Sequence, residues 1–417
     1  MADPDQPQRQ QTADVVLYWM QRRGMTRQVF ADRLGKSVSW VDKIRTGDRQ
    51  LNRVSVLRQI ATVLDIPFNV LIDRDEAEQR RLCPDEREIE AVRHALGRYD
   101  AITNVFRPNG DVLPEPDLPG LERSVRYGWM AFQAANYQAV GQLLADLIRD
   151  AQAAVWQRDG DLRRSAQVWL AWTYQLTAAT AFKLGDSELG WIAADRGIQV
   201  AEQTADLTLI SSAARRVAHA LTATHQSRAA VTMVRSATER LEPQLAHADP
   251  AFVSAYGMLL LKGSIAAAEL GQAADVRDLQ SAALDTAERL GGGEHNEHWS
   301  AFGATNVRVH EVYALADMQG GGMVIEAAER IAYGDLMRLP RERRASHLLD
   351  VTRGYLQWGK RDDAASALLD ADQLAPEEVR CRRLTRQIVN ELIQSYPRGS
   401  RPTGAIVKLA RAVGVPA

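Results

Sequence analysis

Six segments after Leu121 are similar to one another, and each turns out of one helix into another that carries small and apolar residues at helical spacing. They are AANYQAVGQLLADLI, KLGDSELGWIAADRGIQVAEQ, THQSRAAVTMVRSATERLEP, ELGQAADVRDLQSAALDTAERL, MQGGGMVIEAAERIAYGD and QWGKRDDAASALLDADQL. Their turns align on Asn136, Gly185, His225, Gly271, Gly320 and Gly359, at spacings of 49, 40, 46, 49 and 39 residues. A two-helix repeat of about 40 residues predicts an α-solenoid, whose stacked hairpins share a continuous core.

Helical patterning extends over nearly the whole chain, so the predicted fold class is all-α. Alanine is abundant, apolar residues recur at every third or fourth position, and strand patterns are scarce. The predicted divisions are a flexible N-terminus (1–11), four or five short helices (12–73), a connecting helix from Pro84 to Phe106 with a proline-rich hinge (74–120), the helical repeats (121–396) and a C-terminal tail (397–417).

The composition is that of a globular protein. Of 417 residues, 46% are hydrophobic and 25% charged, and no run approaches 18 consecutive apolar residues, so we expect no membrane span. The first residues lack a basic start and an apolar stretch, which favours a cytoplasmic protein over a secreted one. The two cysteines, Cys83 and Cys381, have no partnering Cys or His spacing, so the sequence predicts neither a disulfide scaffold nor a zinc site.

A formal net charge of −2 conceals an asymmetry. Residues 20–60 hold ten basic and three acidic side chains, a balance of +7, whereas the rest of the chain holds 41 basic and 50 acidic ones. A basic segment on an acidic body indicates an anionic partner for that segment. A solvated helical face is the alternative, and charge alone does not decide between the two.

The strongest local pattern is RQVFADRLGKSVSWVDKIRTG, residues 27–47. Two helices that meet at a tight turn need a small residue at their contact and glycine in the turn, which Ala31 and Gly35 supply. Ser37 can cap the second helix, and Val41 and Ile44 face inward at helical spacing. The pattern therefore predicts a helix-turn-helix.

These positions, with the closing stretch VSVLRQIATVLDIPFNVLI, resemble the phage-repressor (XRE, or Cro/repressor-like) helix-turn-helix class over residues 12–73. The sequence departs from the family at Arg27, where glutamine is common, at Lys36, where a small apolar residue is common, and at the bulky Trp40. The resemblance implies binding to double-stranded DNA, with the helix from Ser37 to Thr46 in the major groove.

On that helix we expect Ser39 and Lys43 to contact bases, and Val38 to meet a thymine methyl group. Asp42 would accept from cytosine or orient Lys43, and Trp40 would lie near the rim. Six further residues are expected to position phosphates: Arg27, Gln28, Lys36, Ser37, Arg45 and Arg49.

The repeats resemble tetratricopeptide repeats with longer helices and irregular turns. A repressor-like domain joined to such repeats is similar to the peptide-responsive quorum-sensing regulators of Gram-positive bacteria and to a large set of actinobacterial regulators. Stretches that carry the second resemblance are WIAADRGIQVAEQ, SSAARRVAHAL, FGATNVRVHEV, LPRERRASHLLDVTRGY and LAPEEVRCRRL. The resemblance implies a transcriptional regulator that acts as a homodimer on a pseudo-palindromic operator, with half-sites about 34 Å apart.

A groove between the repeats would bind a small molecule or a peptide. Candidate ligand-binding residues are Trp172, His219, Trp299, Phe302, Asn306 and His310, although aromatic residues in repeats more often pack between helices. In GGGEHNEHWS, His295 and His298 have no third ligand, which favours a flexible inter-repeat loop over a metal site.

Phosphate-binding loops and nucleophile elbows are absent from the sequence, so we expect no enzyme and no cofactor. Two alternatives to an effector-sensing regulator stay open. The repeats could form an interaction scaffold with a front domain that only docks, or a protein partner could control the regulator.

Overall fold

The computed structural model describes residues 6–49, 51, 53–97, 116–397 and 399–416, and almost all of its regular structure is helical. This confirms the all-α fold class. The chain forms two compact units, Met1–Arg81 and Leu82–Ala417, each described here by itself. Most of the predicted proline-rich hinge, residues 98–115, lies outside the described residues.

Short helices around a small apolar core make up the first unit. They are α1 (Gln6–Arg22), α2 (Arg27–Leu34), α3 (Val38–Arg45), α4 (Val54–Leu64), a 3-10 turn (Phe68–Leu71) and α5 (Arg74–Leu82), which ends at the boundary. Residues 6–11 are helical, so the prediction of a loose segment over 1–11 is wrong for them. Once Val15, Val16 and Trp19 are packed in the core, each further N-terminal residue adds a helical hydrogen bond at little cost.

Six helical hairpins make up most of the second unit. The hairpins are α7–α8 (Leu118–Gln133, Tyr137–Trp156), α9–α10 (Gly160–Leu184, Ser187–Glu202), α11–α12 (Leu207–Ala223, Ser227–Leu241), α13–α14 (Pro250–Glu269, Ala273–Glu288), α15–α16 (Ala304–Asp317, Gly322–Glu329) and α18–α19 (Arg341–Gln357, Arg361–Leu374). The remaining helices are α6 (Glu86–Leu96), α17 (Tyr333–Leu336), α20 (Pro376–Arg380), α21 (Arg383–Gln394) and α22 (Gly404–Ala412). Between α14 and α15, β1 (Glu294–His295) pairs antiparallel with β2 (Phe302–Gly303).

All six turns predicted from the repeats connect the two helices of a hairpin, and all six have the same backbone geometry. In each turn the residue before the closing amide has a positive φ: Ala135, Gly185, His225, Gly271, Gln319 and Gly359, with Gly321 as a second positive-φ residue in the fifth turn. The next amide N donates to the carbonyl five residues back at 2.8–3.0 Å, as in Asn136 to Ala131 and Lys360 to Tyr355. This is the Schellman ending of a helix, which pairs carbonyls that the helix itself leaves free.

The second unit closes on itself, and a disulfide lies at the closure. Cys83 and Cys381 are bonded although 298 residues separate them, so the prediction of no disulfide is wrong. Sequence spacing carries no signal for such a pair, because only the stacking of the hairpins brings α20 back beside the residues that precede α6. The Glu377 carboxylate also accepts from the backbone amide of Gln138, at the start of α8, at 2.9 Å.

Three predicted boundaries shift for local chemical reasons. Asp85, not Pro84, caps α6, because its carboxylate and that of Glu88 form a reciprocal capping box. Helix α7 starts at Leu118 inside the stretch predicted as hinge, since Pro119 is tolerated in the first turn. The predicted tail contains α22, which buries Ile406 and Leu409.

Helix α13 is the only described helix long and apolar enough to cross a membrane by length and composition. Of the most apolar 18-residue window of this helix, 89% is buried inside the second unit, as expected for the central helix of a packed core.

We expect His225→Gly and Gln319→Gly to stabilise the second unit, each by roughly 0.5–1 kcal/mol. Both residues are exposed at positive φ, where a Cβ costs about 1–2 kcal/mol. Glycine removes that cost, but it also raises the conformational entropy of the unfolded chain, which offsets part of the gain in stability. Urea unfolding measures the change. Gly271→Ala is the reverse control, since its φ is +69° with open space around it, and it should destabilise. Stabilisation by the alanine would contradict the argument.

Candidate nucleic-acid interface and interior cavity

The turn between α2 and α3 has the geometry that the sequence predicts. Thr26 caps α2 by accepting from the Val29 amide at 3.3 Å, and Ser37 caps α3 by accepting from the Trp40 amide at 3.3 Å. Gly35 adopts φ +63°, a conformation in which a Cβ would be strained, and ends α2. The two helices are therefore held by local bonds at both ends of the turn.

Trp40, predicted to lie near the rim of the DNA-contacting face, lies in the core of the first unit, so the predicted position is wrong. Its side chain is 8% exposed and lies beside the buried Val41 and Ile44. The guanidinium of Arg49 lies 5.4 Å from the centroid of the indole ring. Trp40 thus positions Arg49 from below, since a cation over an aromatic face is attracted to it.

The opposite side of α3 is polar and open to solvent. Ser39 and Lys43 are exposed four residues apart on one face, and Val38 and Asp42 are partly exposed beside them. The Asp42 carboxylate accepts from Arg27 Nη1 at 2.8 Å, so it orients Arg27 and not Lys43. The remaining predicted phosphate contacts are also exposed: Gln28, Lys36, Ser37, Arg45 and Arg49.

Three of the ten basic residues in the charged segment serve the fold. Arg22 and Arg23 lie over the ring of Trp19, and Arg23 Nε donates to the carbonyl of Leu64 at the end of α4 at 2.8 Å. Arg58 lies over the ring of Phe68. The basic surface available to a partner is therefore smaller than the charge count indicates, and it centres on α2, α3 and the turn after α3.

A cavity of about 190 Å³ lies inside the second unit. Its walls come from α7, α9, α11, α13, α15 and α18 and from the segment between α14 and α15. Trp129 and Trp299 form one side, with rings stacked at 5.3 Å and an interplanar angle of 7°. The side chains of Gln133 and Asn296 exchange hydrogen bonds of 2.9 and 3.0 Å across this wall. The segment that sequence alone predicts as a flexible loop is thus an ordered wall of the cavity.

That wall carries backbone strain. His298, Trp299 and Ala301 all have φ between +47° and +58°, a region that L-residues seldom adopt. The His298 ring stacks on Trp172 at 5.0 Å. Strained residues persist where surrounding contacts over-determine them, and they cluster at ligand sites.

Cationic side chains dominate the cavity lining: Lys183, Arg215, Arg216, Lys262, Arg343 and Arg382. Burial, then the neighbouring Arg216 and Arg215, lowers the pKa of Lys262 to about 7. Burial, then Arg343, lowers the pKa of Arg216 to about 10. Both pKa values are lowered chiefly by burial and further by neighbouring cations.

Two of these cations are matched by buried carboxylates. Lys183 Nζ bonds Glu342 Oε1 and lies 2.7 Å from Glu378 Oε1, which also accepts from Arg382 Nη1 at 2.7 Å. Burial alone would raise the pKa of Glu342, but Lys183 and Arg343 lower it to about 2. Glu378 further accepts from the hydroxyl of the fully buried Tyr137.

His310, one of two histidines that line the cavity, is neutral, and its contacts fix its tautomer. His310 Nδ1 lies 2.8 Å from the carbonyl oxygen of Asn306, which can only accept, so Nδ1 carries the proton. Nε2 then accepts from Arg343 Nη1 at 3.3 Å. Burial, then Arg343, lowers the pKa of His310 to about 3, in agreement with a neutral ring.

Of the six predicted ligand-binding residues, His219, Trp299 and His310 line the cavity. The other three do not. Trp172 is 2% exposed and packs on Trp129, and Phe302 is fully buried where a Cβ on Gly257 would overlap its ring. Asn306 is fully buried, with Oδ1 unpartnered and Nδ2 3.4 Å from Met258 Sδ. Packing between helices, the alternative for such residues, accounts for Trp172 and Phe302.

Sequence reasoning missed the cationic lining. A usable signal was present in Lys262, which stands in the middle of α13, the most apolar helix of the chain. A charge at an inward position of such a helix needs a partner or a function, because burial of an isolated ammonium is costly. Arg215 and Arg216 lie one turn before His219, within a helix whose other buried residues, apart from Leu209, are alanine and serine.

The described residues contain no group of three His, Cys, Asp or Glu placed to hold a metal ion. Neither a protein-family model nor a curated protein matches the sequence. Among solved structures, the chain is similar to the crystal structure of Bacillus thuringiensis PlcR in complex with the peptide PapR7 and DNA. The identity is 16% and the TM-score 0.31, over 67% of this chain and 95% of that chain. At these values the similarity carries no argument about what this chain binds.

Trp40→Ala should destabilise the first unit by about 3–5 kcal/mol, as expected when a buried tryptophan is truncated. Hydrogen exchange of the α2 and α3 amides reports that unit independently of the rest of the chain. The matched control is the neighbouring, exposed Ser39→Ala, which should change stability by no more than about 0.5 kcal/mol. Unchanged protection in Trp40→Ala would place the indole outside the core.

His310→Gln should flatten the acid dependence of stability of the second unit. The unfolded ring protonates near pH 6.5 and the folded ring near pH 3, so the unfolded state binds more protons between them and stability falls as pH falls. Without this ring the slope between pH 5 and 6 should decrease by about 1.4 kcal/mol per pH unit. Urea unfolding at several pH values measures it. An unchanged slope would mean that His310 is protonated in the folded protein.

Proposed function

We propose that the chain is a sequence-specific DNA-binding transcriptional regulator. The observation that carries this proposal is α3, a short helix capped by Ser37, with its inward residues buried and its outward residues polar and exposed. A reading helix needs both properties, since it must be held rigidly while its side chains reach base edges. The basic residues around it supply phosphate contacts, and the free amides at its N-terminus favour an anion.

In this proposal Ser39 and Lys43 contact bases, with Val38 beside them. Arg27, held by Asp42, and Arg49, held over Trp40, contact phosphates on either side. Gln28, Lys36, Ser37 and Arg45 complete the phosphate contacts. The regulator acts in the cytoplasm as a homodimer on a pseudo-palindromic site, because two copies of α3 reading two half-sites multiply specificity.

The second unit serves as the sensor. Its partly open cavity of about 190 Å³ favours a small molecule over a peptide as the effector. A ligand that fits one packing of the hairpins better than another shifts the population towards that packing, and so changes operator affinity. The effect cannot exceed the difference in the ligand's binding free energy between the two arrangements.

Selection of genomic fragments by the purified full-length chain at moderate salt, followed by sequencing, tests the proposal. Enrichment of one inverted repeat is the expected result. Absence of enrichment at every salt concentration, together with a flat dependence of DNA affinity on salt, would favour an interaction scaffold. Partner proteins that copurify and change operator affinity would replace the small-molecule effector.

Two variants test the assignment of the helix face. Lys43→Ala should weaken binding to the selected site by about 1–3 kcal/mol and change binding to unrelated DNA much less. Arg49→Ala should weaken binding to the selected site and to unrelated DNA equally. It should also reduce the slope of log affinity against log salt concentration by about one. Fluorescence anisotropy with the selected and a scrambled duplex measures both. Equal losses on both duplexes for Lys43→Ala would refute its contact with bases.

A further inference from the structure

The cavity of the second unit contains more positive charge than its own carboxylates neutralise. We propose that it is a binding site for a compact organic anion that carries at least two negative charges, as a phosphate ester or as a di- or tricarboxylate. The proposal rests on the proposed function in one respect, since it gives the chemical class of the effector. The site itself is independent of DNA binding.

The excess charge comes from four side chains on three helices: Arg215 and Arg216 on α11, Lys262 on α13 and Arg343 on α18. Among the described residues, no carboxylate oxygen lies within 4 Å of Arg215, Arg216 or Lys262. Arg343 comes no closer than 3.8 Å to a carboxylate, on Glu342, which already bonds Lys183. The carboxylates Glu342 and Glu378 are thus already paired with Lys183 and Arg382.

The Asp350 carboxylate does not supply the missing charge. It lies 3.5 Å from Arg353, which also lies 2.8 Å from Asp317. Asp350 also lines the cavity, but the two carboxylates share Arg353, and neither lies within 4 Å of Lys262. Burial raises the pKa of Asp350 to about 6, so it stays largely ionised at neutral pH and offsets at most one of the four positive charges.

The cations also have unused hydrogen-bond donors. The Nε atoms of Arg215, Arg216 and Arg343 are buried without an acceptor. The Arg215 side chain is 7% exposed and lines the cavity, so water does not take the place of a partner along most of its length. A guanidinium presents planar donors that match the paired oxygens of a carboxylate or phosphate, and an anion in the cavity would satisfy them.

The remaining lining fits a compact ligand and excludes a long one. A cavity of about 150 Å³ holds a benzene ring, so about 190 Å³ accommodates a body of one ring or a short chain with its acidic groups. The stacked Trp129 and Trp299 give a flat apolar wall, and the Arg216 guanidinium lies 5.4 Å from the centroid of the Trp129 ring. His219 and His310, both with a lowered pKa from burial, add neutral polar groups and no charge of their own.

A purely structural purpose does not account for this cluster. Four mutually repelling cations, one buried and three partly withdrawn from water, oppose folding unless a counter-charge accompanies them. Removing one of them should therefore leave the ligand-free protein equally or more stable, whereas removing a cation that holds the fold would destabilise it. The sign of the change separates the two cases.

Isothermal titration of the full-length chain, at fixed ionic strength in sodium chloride, tests the proposal with inorganic pyrophosphate and citrate as probes. We expect one saturable site in the wild type for at least one probe. Arg215→Gln and, separately, Lys262→Gln should raise the Kd of that probe at least tenfold. Without probe, both variants should unfold at the same or a higher urea concentration than the wild type.

Two control variants locate the effect. Arg228→Gln removes an exposed arginine from α12, in the same hairpin as Arg215, and should bind the probe as the wild type does. Lys43→Ala removes a charge from the first unit and should also leave probe binding unchanged, even where it abolishes operator binding. Failure of the proposed function and failure of the anion site are therefore distinguishable.

The comparison of the two probes shows whether the site prefers phosphate or carboxylate oxygens, and binding of either supports it. Three results would overturn the proposal. They are no saturable binding of either probe, wild-type affinity in both cavity variants, and lower urea stability of both cavity variants in the absence of anion.

Discussion

The buried ion-pair network around Glu378 is the interaction on which the second unit depends. Glu378 is fully buried on α20 and bonds Lys183, Arg382 and the hydroxyl of Tyr137. These partners come from α8, from α9 and from the chain just after α20, so one carboxylate joins the beginning of the repeat array to its end. Because loss of one partner from a buried pair costs about 3–5 kcal/mol, the network fixes a closed arrangement of the hairpins.

Closure determines what the unit can bind. An open solenoid presents a long concave groove, which suits an extended peptide or a protein surface. Here the last hairpins return to the first, and the ordered segment around Trp299 forms part of the wall, so that the groove becomes a partly enclosed cavity. The side chains that face it are partly shielded from water, and each charge there interacts more strongly than it would on an open surface. Positive charge that would be unremarkable on an exposed groove thus becomes selective for an anion.

Local patterns predicted the fold well, and long-range contacts account for what they missed. The six hairpin turns and the Ala31, Gly35 and Ile44 positions follow from residues within one or two helical turns of each other. The burial of Trp40 did not, because it depends on helices distant in sequence, such as α1, that pack against α3. The Cys83–Cys381 bond and the inward direction of Lys262 likewise require the closed array, which no spacing in the sequence encodes. Only three of the six candidate ligand-binding residues line the cavity. Periodicity identifies the inward face of a helix, but it does not show which residues lie opposite that face.

The covalent link between Cys83 and Cys381 has a consequence for how the array comes apart. Linear repeat proteins fray from their terminal repeats, because each repeat contacts only its neighbours and the end repeats have one neighbour instead of two. In this chain the bond and the Glu378 network give the first and last hairpins a partner on both sides. The array behaves as a ring without ends, and no repeat is the natural place for unravelling to begin. Local opening of one hairpin would then strain all the others, so the six repeats should share a single cooperative transition.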